Sequence, residues 1–337
     1  MRTVAGFLLS IFVVLILTLL LGVILMTPFS TFRPSSQSAV VEEVARATDL
    51  DSYLKKNESA IAKLRPGLEK AIIWNGEKGV KTPLSFIYLH GYSASRGETA
   101  PLMETVAMNL NANLFYSRFK AHGLADGEAF AHVTAQDWID DAREAMAIGK
   151  RIGDQVVIVG MSTGALPAFQ LVVEDQQSSD AKPGERSKTA ALVLLSPNYR
   201  PANVLSRFLS GPLGRYLVPK FLGDYHSFSA ENEAHAILWT PRTHVGGLFA
   251  MMDLVEQVAK MNLAKISVPT LTVFTSKDEV VNVALIRSRH AEIGASIKRI
   301  VDLPQATRHE LAGNALAPEA VAPAAAVIED FVRGLSR

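Results

Sequence analysis

The sequence predicts an α/β fold built on a mostly parallel sheet, and three observations carry the prediction. Short β-rich runs alternate with helix-like segments from about residue 70 to the C-terminus. The runs are continuously apolar rather than alternating, the pattern of strands covered on both faces. At residues 157–166, VIVGMSTGAL, one such run passes into a helix-like run through two glycines that flank a serine.

In chain order, the first element is an uncharged stretch from Val4 to Met26. At about 1.5 Å per residue it reaches roughly 34 Å as a helix, enough for a hydrocarbon layer of about 30 Å. It is longer than the apolar core of a cleaved signal peptide and is apolar on every face, so it reads as an uncleaved transmembrane anchor. Arg2 and the amino terminus precede it and Arg33 follows, which favours the bulk of the chain lying outside the cytoplasm. Residues 27–38, rich in Pro and Ser, read as a tether.

The next element is a helix over 51–64, with Tyr53, Leu54, Ile61 and Leu64 on one face and Pro66-Gly67 as its stop. Strands are expected at 70–74, with a turn at Asn75-Gly76, and at 84–90, 113–119, 155–160, 191–196, 270–275 and 297–303. Helices are expected at 99–110, 136–150, 163–174, 282–292 and about 319–335. The polar run 175–188 reads as an exposed loop. Residues 200–265 show no clear strand and are too long for an ordinary connection, so they are expected to form a helical lid insertion. Three parts result: an anchor at 1–28, a tether with a short helix at 29–66, and the α/β domain at 67–337.

Composition narrows the chemistry. With 34 basic against 33 acidic residues, the net charge is +1 and nothing argues for a nucleic-acid partner. The absence of cysteine removes disulfides, thiolate metal sites and a cysteine nucleophile. No two glycines stand one residue apart, so there is no dinucleotide loop, and no phosphate-loop pattern occurs. The expected chemistry uses no metal and no organic cofactor.

That chemistry centres on Ser162. A G-x-S-x-G pattern has meaning only between a strand and a helix, and QVVIVG and TGALPAFQLVV supply both. At so sharp a turn, a Cβ on either flanking glycine, Gly160 or Gly164, would crowd the backbone. Ser162 is then pushed out above the sheet, beside a helix N-terminus that favours developing negative charge. Such a serine needs a base and an orienting acid, and on this kind of sheet they follow in the order Ser, Asp or Glu, His. Asp278 follows the strand at 270–275, and His309 follows the last strand. Taken singly, Asp278 reads as a turn or capping residue and His309 as a surface histidine. Glu279 and His290 are their rivals, although His290 stands on a helix before the last strand. The expected oxyanion donors are the backbone N–H of Thr163 and that of Tyr92, in the loop His90-Gly91-Tyr92-Ser93. His90 itself is read as a structural histidine that fastens the loop.

These pieces resemble the α/β-hydrolase superfamily, in particular its serine esterases and monoacylglycerol-lipase-like members, the serine aminopeptidase or hydrolase-4 group. YLHGYSAS, AHGLA at 121–125, VGMSTGA, PTLTVFTSKDEVV and RHEL carry the likeness, which covers roughly 70–335. Ala121 stands where such loops often have glycine, and the family's first strands are short or missing here. The resemblance implies an α/β-hydrolase fold in which Ser162, Asp278 and His309 form a catalytic triad for ester cleavage, with the 200–265 insertion as cap. The apolar runs 208–214 and 248–252 suit an acyl or lipid-like ester, or else pack the lid onto the core. The expected partners are a small ester or lipid substrate and, through residues 4–26, a membrane. The same scaffold also carries thioesterases, peptidases, acyltransferases and non-catalytic binding proteins.

Overall fold

In the computed structural model, the described residues are 10–19, 21–22, 39–180 and 187–335. The expected anchor over Val4–Met26 lies partly, and the tether over 27–38 wholly, outside them. Residues 10–19 are helical (α1), and Phe12, Val14, Leu15 and Leu17 are exposed. No helix among the described residues is long and apolar enough to cross a membrane.

Two helices, α2 (Ala39–Arg46) and α3 (Leu50–Ser59), follow. The first was not expected. It docks on the body of the protein, where Arg151 Nη1 donates to the Val44 carbonyl at 2.7 Å. The second stops short of the expected residue 64. Lys63 takes a left-handed backbone with φ 62°, and the Arg65 N–H donates to the Gly123 carbonyl at 2.9 Å, so the chain has left the helix to pair with the 121–125 loop.

All seven expected strands form. They are β1 (Ala71–Ile73), β2 (Thr82–Leu89), β3 (Asn113–Tyr116), β4 (Gly153–Met161) and β5 (Thr189–Leu195), then, after the lid's β6 (Tyr225–Ser227) and β7 (Arg242–His244), β8 (Thr270–Phe274) and β9 (Lys298–Asp302). The sheet order is β1-β3-β2-β4-β5-β8-β9. Every pairing is parallel except β1 with β3.

Period-two alternation divides the core. Phe86, Tyr88, Val157 and Val159 face α4 (Leu102–Asn109) and α11 (Val321–Gly334) in one buried cluster. Ile87, Leu89, Val156 and Ile158 face α5 (Ala135–Ile152) and α6 (Ala165–Asp180) in the other. Both faces are covered, as continuous apolar strands require. At the sheet edge, β9 departs from that expectation. It is largely exposed and carries Lys298 and Arg299, charges of the kind that discourage an open edge from pairing with another chain. The last sheet-flanking helix before it is α10 (Val283–Glu292).

The expected loop at 175–188 is helical through Asp180, and residues 181–186 lie outside the described ones. Asp175 is buried rather than solvated. It pairs with Lys150 at 2.7 Å and accepts from the Thr189 N–H at 3.0 Å, so its charge pins the start of β5. The lid comprises a 3-10 segment (Val204–Ser210), α7 (Pro212–Leu222), α8 (Glu233–Leu238) and α9 (Gly246–Ala259). It also holds the antiparallel ribbon β6–β7, in a region expected to lack strands. YHS and RTH are too short and polar to show a strand period.

Candidate active site

The sheet places the site. The chain leaves β2 toward β3 on one side, then returns past β2 to β4, so the connections diverge between β2 and β4. In open α/β sheets the crevice outside the strand ends at such a switch point is where ligands bind. The loop after β2 carries His90, Gly91 and Tyr92, and the turn after β4 carries Ser162.

Ser162 occupies that turn in a left-handed backbone, φ 51°. The turn closes only because its neighbours lack side chains. A Cβ on Gly164 would lie 2.1 Å from the Leu89 carbonyl oxygen, and one on Gly160 would lie 2.6 Å from Ala165 Cα. The two glycines therefore have the mechanical role expected of them. From the loop after β5, Asn198 supports the turn by donating its N–H to the Ser162 carbonyl at 3.1 Å.

Three distant side chains converge above the strand ends. The Ser162 Oγ lies 2.8 Å from His309 Nε2, and His309 Nδ1 lies 2.7 Å from Asp278 Oδ2. The other carboxylate oxygen of Asp278 accepts from the N–H groups of Val280 at 2.9 Å and Val281 at 3.1 Å. Asp278 is thus both a turn-former and the partner of His309. Burial disfavours its charge, but the hydrogen bond and charge of His309 and the two N–H groups outweigh it, holding the carboxyl below its ordinary value. Burial likewise disfavours the His309 cation, and Asp278 outweighs it, raising His309 above its ordinary value.

The rivals stand elsewhere. Glu279 is exposed. His290 is buried on α10 with Nδ1 2.9 Å from Thr272 Oγ1, and burial pushes its pKa down to about 4. His90 is structural, as expected. Its Nε2 accepts from the Phe119 N–H at 3.0 Å, which leaves the ring proton on Nδ1, 2.8 Å from the Gly91 carbonyl. Burial holds its pKa near about 4, so the ring stays neutral.

The loop after β2 lies against the serine: a Cβ on Gly91 would be 3.4 Å from Ser162 Cβ. Its own N–H is engaged by Glu98 Oε1 at 2.6 Å, and the Tyr92 N–H follows it in the chain. Tyr92 is tied to the lid through its hydroxyl, 3.0 Å from Thr243 Oγ1. Thr163 is buried beside Ser162 at the head of α6, with Oγ1 3.4 Å from Asn198 Nδ2. Two further residues hold this loop: His122, within the AHGLA piece but given no role from the sequence, and Glu98, which had no distinct signal there. His122 accepts from the Ser93 N–H at 3.0 Å, and Glu98 binds Gly91. Ala121 does adopt the left-handed backbone, φ 72°, that explains the usual glycine in the loop leading to His122.

Residues 84–315 match the family described as serine aminopeptidase, S33. The chain belongs to that family. It is therefore a serine hydrolase with an α/β-hydrolase fold, as the resemblance implied. Solved structures agree on the fold at low identity. One reported for the metagenome-derived lipolytic enzymes LipS and LipT is 19% identical, with a TM-score of 0.59 over 80% of this chain and 99% of that one. A monoacylglycerol lipase of Paleococcus ferrophilus is 16% identical, with a TM-score of 0.58 over 80% and 99%. A soluble variant of the monoglyceride lipase of Saccharomyces cerevisiae is 11% identical, with a TM-score of 0.58 over 79% and 91%. No curated protein matches the chain in sequence.

Within this family member, the lid carries an apolar cavity of about 740 Å³ that opens to solvent. Phe208, Leu213, Leu217, Leu248 and Met251 are among its walls. Its wall residue Met251 reaches the site through Asn198, whose Nδ2 lies 3.5 Å from the Met251 sulfur and 3.4 Å from Thr163 Oγ1. Of the apolar run 248–252, Leu248 and Met251 line the cavity, while Ala250, Met251 and Met252 are buried in the core, so the run serves both expected roles.

Proposed function

We propose that the chain cleaves carboxylic esters with hydrophobic acyl groups, using Ser162 as nucleophile, His309 as base and Asp278 as its orienting acid. The reading rests on one observation, the continuous path from Ser162 Oγ through His309 to Asp278, at 2.8 and 2.7 Å. As Ser162 Oγ bonds to the ester carbon, its proton passes to His309 Nε2. The N–H groups of Tyr92 and Thr163 receive the oxyanion, each worth about 2.7–4 kcal/mol in the transition state. Collapse breaks the ester C–O bond, and the leaving alkoxide takes the proton from Nε2. Water, deprotonated by the same nitrogen, then splits the acyl-enzyme into carboxylic acid and free serine.

The apolar lid cavity supports an acyl substrate, since a volume of about 740 Å³ suits a drug-sized or lipid-like ligand. The names of the structural neighbours, lipolytic enzymes and monoacylglycerol lipases, point the same way. We infer further that residues 4–26 anchor the enzyme to a membrane, with the hydrolase domain outside the cytoplasm. The supports are the uncharged length of that stretch and the apolar residues exposed on the lid, Leu205, Phe208, Phe221 and Leu222.

The test is Ser162→Ala, which should abolish turnover of p-nitrophenyl butyrate while leaving the folded state intact. A fluorophosphonate probe should label the parent at Ser162 and not the variant. Retention of most activity in the variant would reject Ser162 as the nucleophile.

A further inference from the structure

Among the described residues, Glu98 is the one acidic side chain bonded to the loop after β2. It lies in a 3-10 turn (Arg96–Thr99) and is only 2% exposed. Oε1 accepts twice, from the Tyr88 hydroxyl at 2.7 Å and from the Gly91 N–H at 2.6 Å. No cation bonds to the carboxyl among the described residues. Oε2 takes no hydrogen bond from them, yet it is not among the unpartnered side-chain atoms sealed from solvent. A Cβ on Gly91 would be 2.9 Å from Oε2 and 3.4 Å from Ser162 Cβ. The free oxygen and the serine therefore flank the same spot.

A carboxyl buried without a cation favours its neutral form. With both accepted bonds on Oε1, the proton belongs on Oε2, on the side toward Ser162. We propose that Glu98 is a positioning residue that works protonated: Oε1 clamps the Gly91 peptide so that the Tyr92 N–H meets the oxyanion, and the neutral carboxyl keeps negative charge away from it. The proposal rests on the reading of Ser162 and His309 given above.

The surroundings bear on its titration. Tyr88 faces Glu98 from β2, and His309 and Glu310 act on it from the loop after β9. Burial raises the carboxyl to about 8, with Tyr88, the Gly91 N–H and His309 opposing the shift and Glu310 adding to it. Above that pH the carboxylate would place a second negative charge beside the oxyanion. The neutral amide of Glu98→Gln keeps an acceptor for Tyr88 and Gly91 and a donor in place of Oε2–H, but does not ionise. Glu98→Ala removes the clamp.

The experiment is the pH profile of kcat for p-nitrophenyl butyrate, read at a wavelength where nitrophenol and nitrophenolate absorb equally. The parent should lose kcat as pH rises through about 8. Glu98→Gln should retain kcat at neutral pH within about threefold and lose that alkaline decline. Glu98→Ala should lower kcat about 100-fold with a smaller change in KM. A protonated-carboxyl band should appear in the infrared difference spectrum of parent minus Glu98→Gln at pH 6. Three outcomes overturn the proposal: an alkaline decline shared by parent and Glu98→Gln, a parent with no decline, or a folded Glu98→Ala enzyme with parental kcat. Fluorophosphonate labelling of the parent at Ser162 is read separately. Its absence would reject the triad itself, whereas labelling with unchanged profiles would reject only Glu98.

Discussion

Asp278 meets His309 through one oxygen alone: Oδ2 lies 2.7 Å from Nδ1, while Oδ1 is held by the N–H groups of Val280 and Val281. The backbone thus fixes the carboxylate plane before the histidine arrives. Asp278→Asn can keep the two backbone bonds, but the amide allows the wrong imidazole tautomer. We expect kcat to fall about 10⁴-fold with little loss of fold, measured by ester turnover and circular dichroism.

On the proposed mechanism the same pair sets the acid limb. His309 would have to be neutral to accept the serine proton, and Asp278 raises its pKa above 6.5. A raised pKa keeps the imidazolium to higher pH, so kcat/KM should climb as pH rises through a value above 6.5. In Asp278→Asn the raising partner is gone, and the limb of the residual activity should move to lower pH. An unmoved limb would detach the titration from this pair.

Gly164 offers a stability test of the turn that presents Ser162. A methyl group there would meet the Leu89 carbonyl oxygen at 2.1 Å, and a backbone carbonyl inside the sheet cannot swing aside. Gly164→Ala should therefore cost about 3 kcal/mol or more in urea unfolding. Gly334→Ala, where nothing lies within 4 Å, is the control and should be neutral or stabilising.

The geometry of this turn was legible in the sequence because one motif encodes it. Strand, Gly160, Ser162, Gly164 and helix are contiguous, and the glycines act on atoms a few residues away. Asp278 and His309 were legible by their order and by their positions after strands. Glu98 was not, because it lies just before the expected helix 99–110, in a short polar run, SRGE, where nothing marks it out until tertiary packing buries it. Asp175 was missed for the same reason. The ribbon β6–β7 escaped because strands of three residues carry no period. Local patterns report on local structure, whereas burial of an isolated charge is decided by segments far away in the chain.

Glu58 and Arg118 form such a buried charge pair, joining α3 to the loop after β3. Arg118 donates through Nε to Oε2 at 2.8 Å and through Nη2 to Oε1 at 2.9 Å. Glu58→Gln would leave Arg118 buried without its counter-charge and should destabilise by about 3–5 kcal/mol. Burial opposes the Glu58 carboxylate, but the bond and charge of Arg118 outweigh it and hold the pKa below 4.5. A depressed pKa contributes stability above the unfolded value that is lost as pH falls through the folded one. The deficit of Glu58→Gln should therefore shrink as the pH is lowered from about 5 toward 3. A constant deficit across that range would remove the ionised carboxylate from the explanation.

The lid cavity makes chain length the next readout. Each methylene buried there can add about 0.8 kcal/mol, or up to about fourfold in kcat/KM. Activity on p-nitrophenyl esters should rise from butyrate toward longer acyl groups. Met251→Trp, which places bulk between the cavity and Asn198, should lower activity on the dodecanoate about tenfold relative to the butyrate. A flat profile in the parent would remove the hydrophobic acyl preference.

Anchoring can be separated from catalysis by a cut before Ala39. The first helix docked on the body begins there, and Arg151 holds its Val44 carbonyl, so removing residues 1–38 leaves that contact in place. The shortened enzyme should remain in the supernatant and hydrolyse a soluble ester with the parental kcat/KM. On the proposed anchoring, the full chain should sediment with membranes and resist extraction by high salt or alkaline carbonate, because an uncharged stretch of 23 residues would be held by burial in hydrocarbon rather than by charge. Detergent should release it. A C-terminal reporter active only outside the cytoplasm then reads the orientation, since Arg2 and the amino terminus outweigh Arg33 at the two ends of the span. Salt-releasable protein would replace the span with a surface attachment, and a silent reporter in an intact fusion would place the hydrolase domain on the cytoplasmic side.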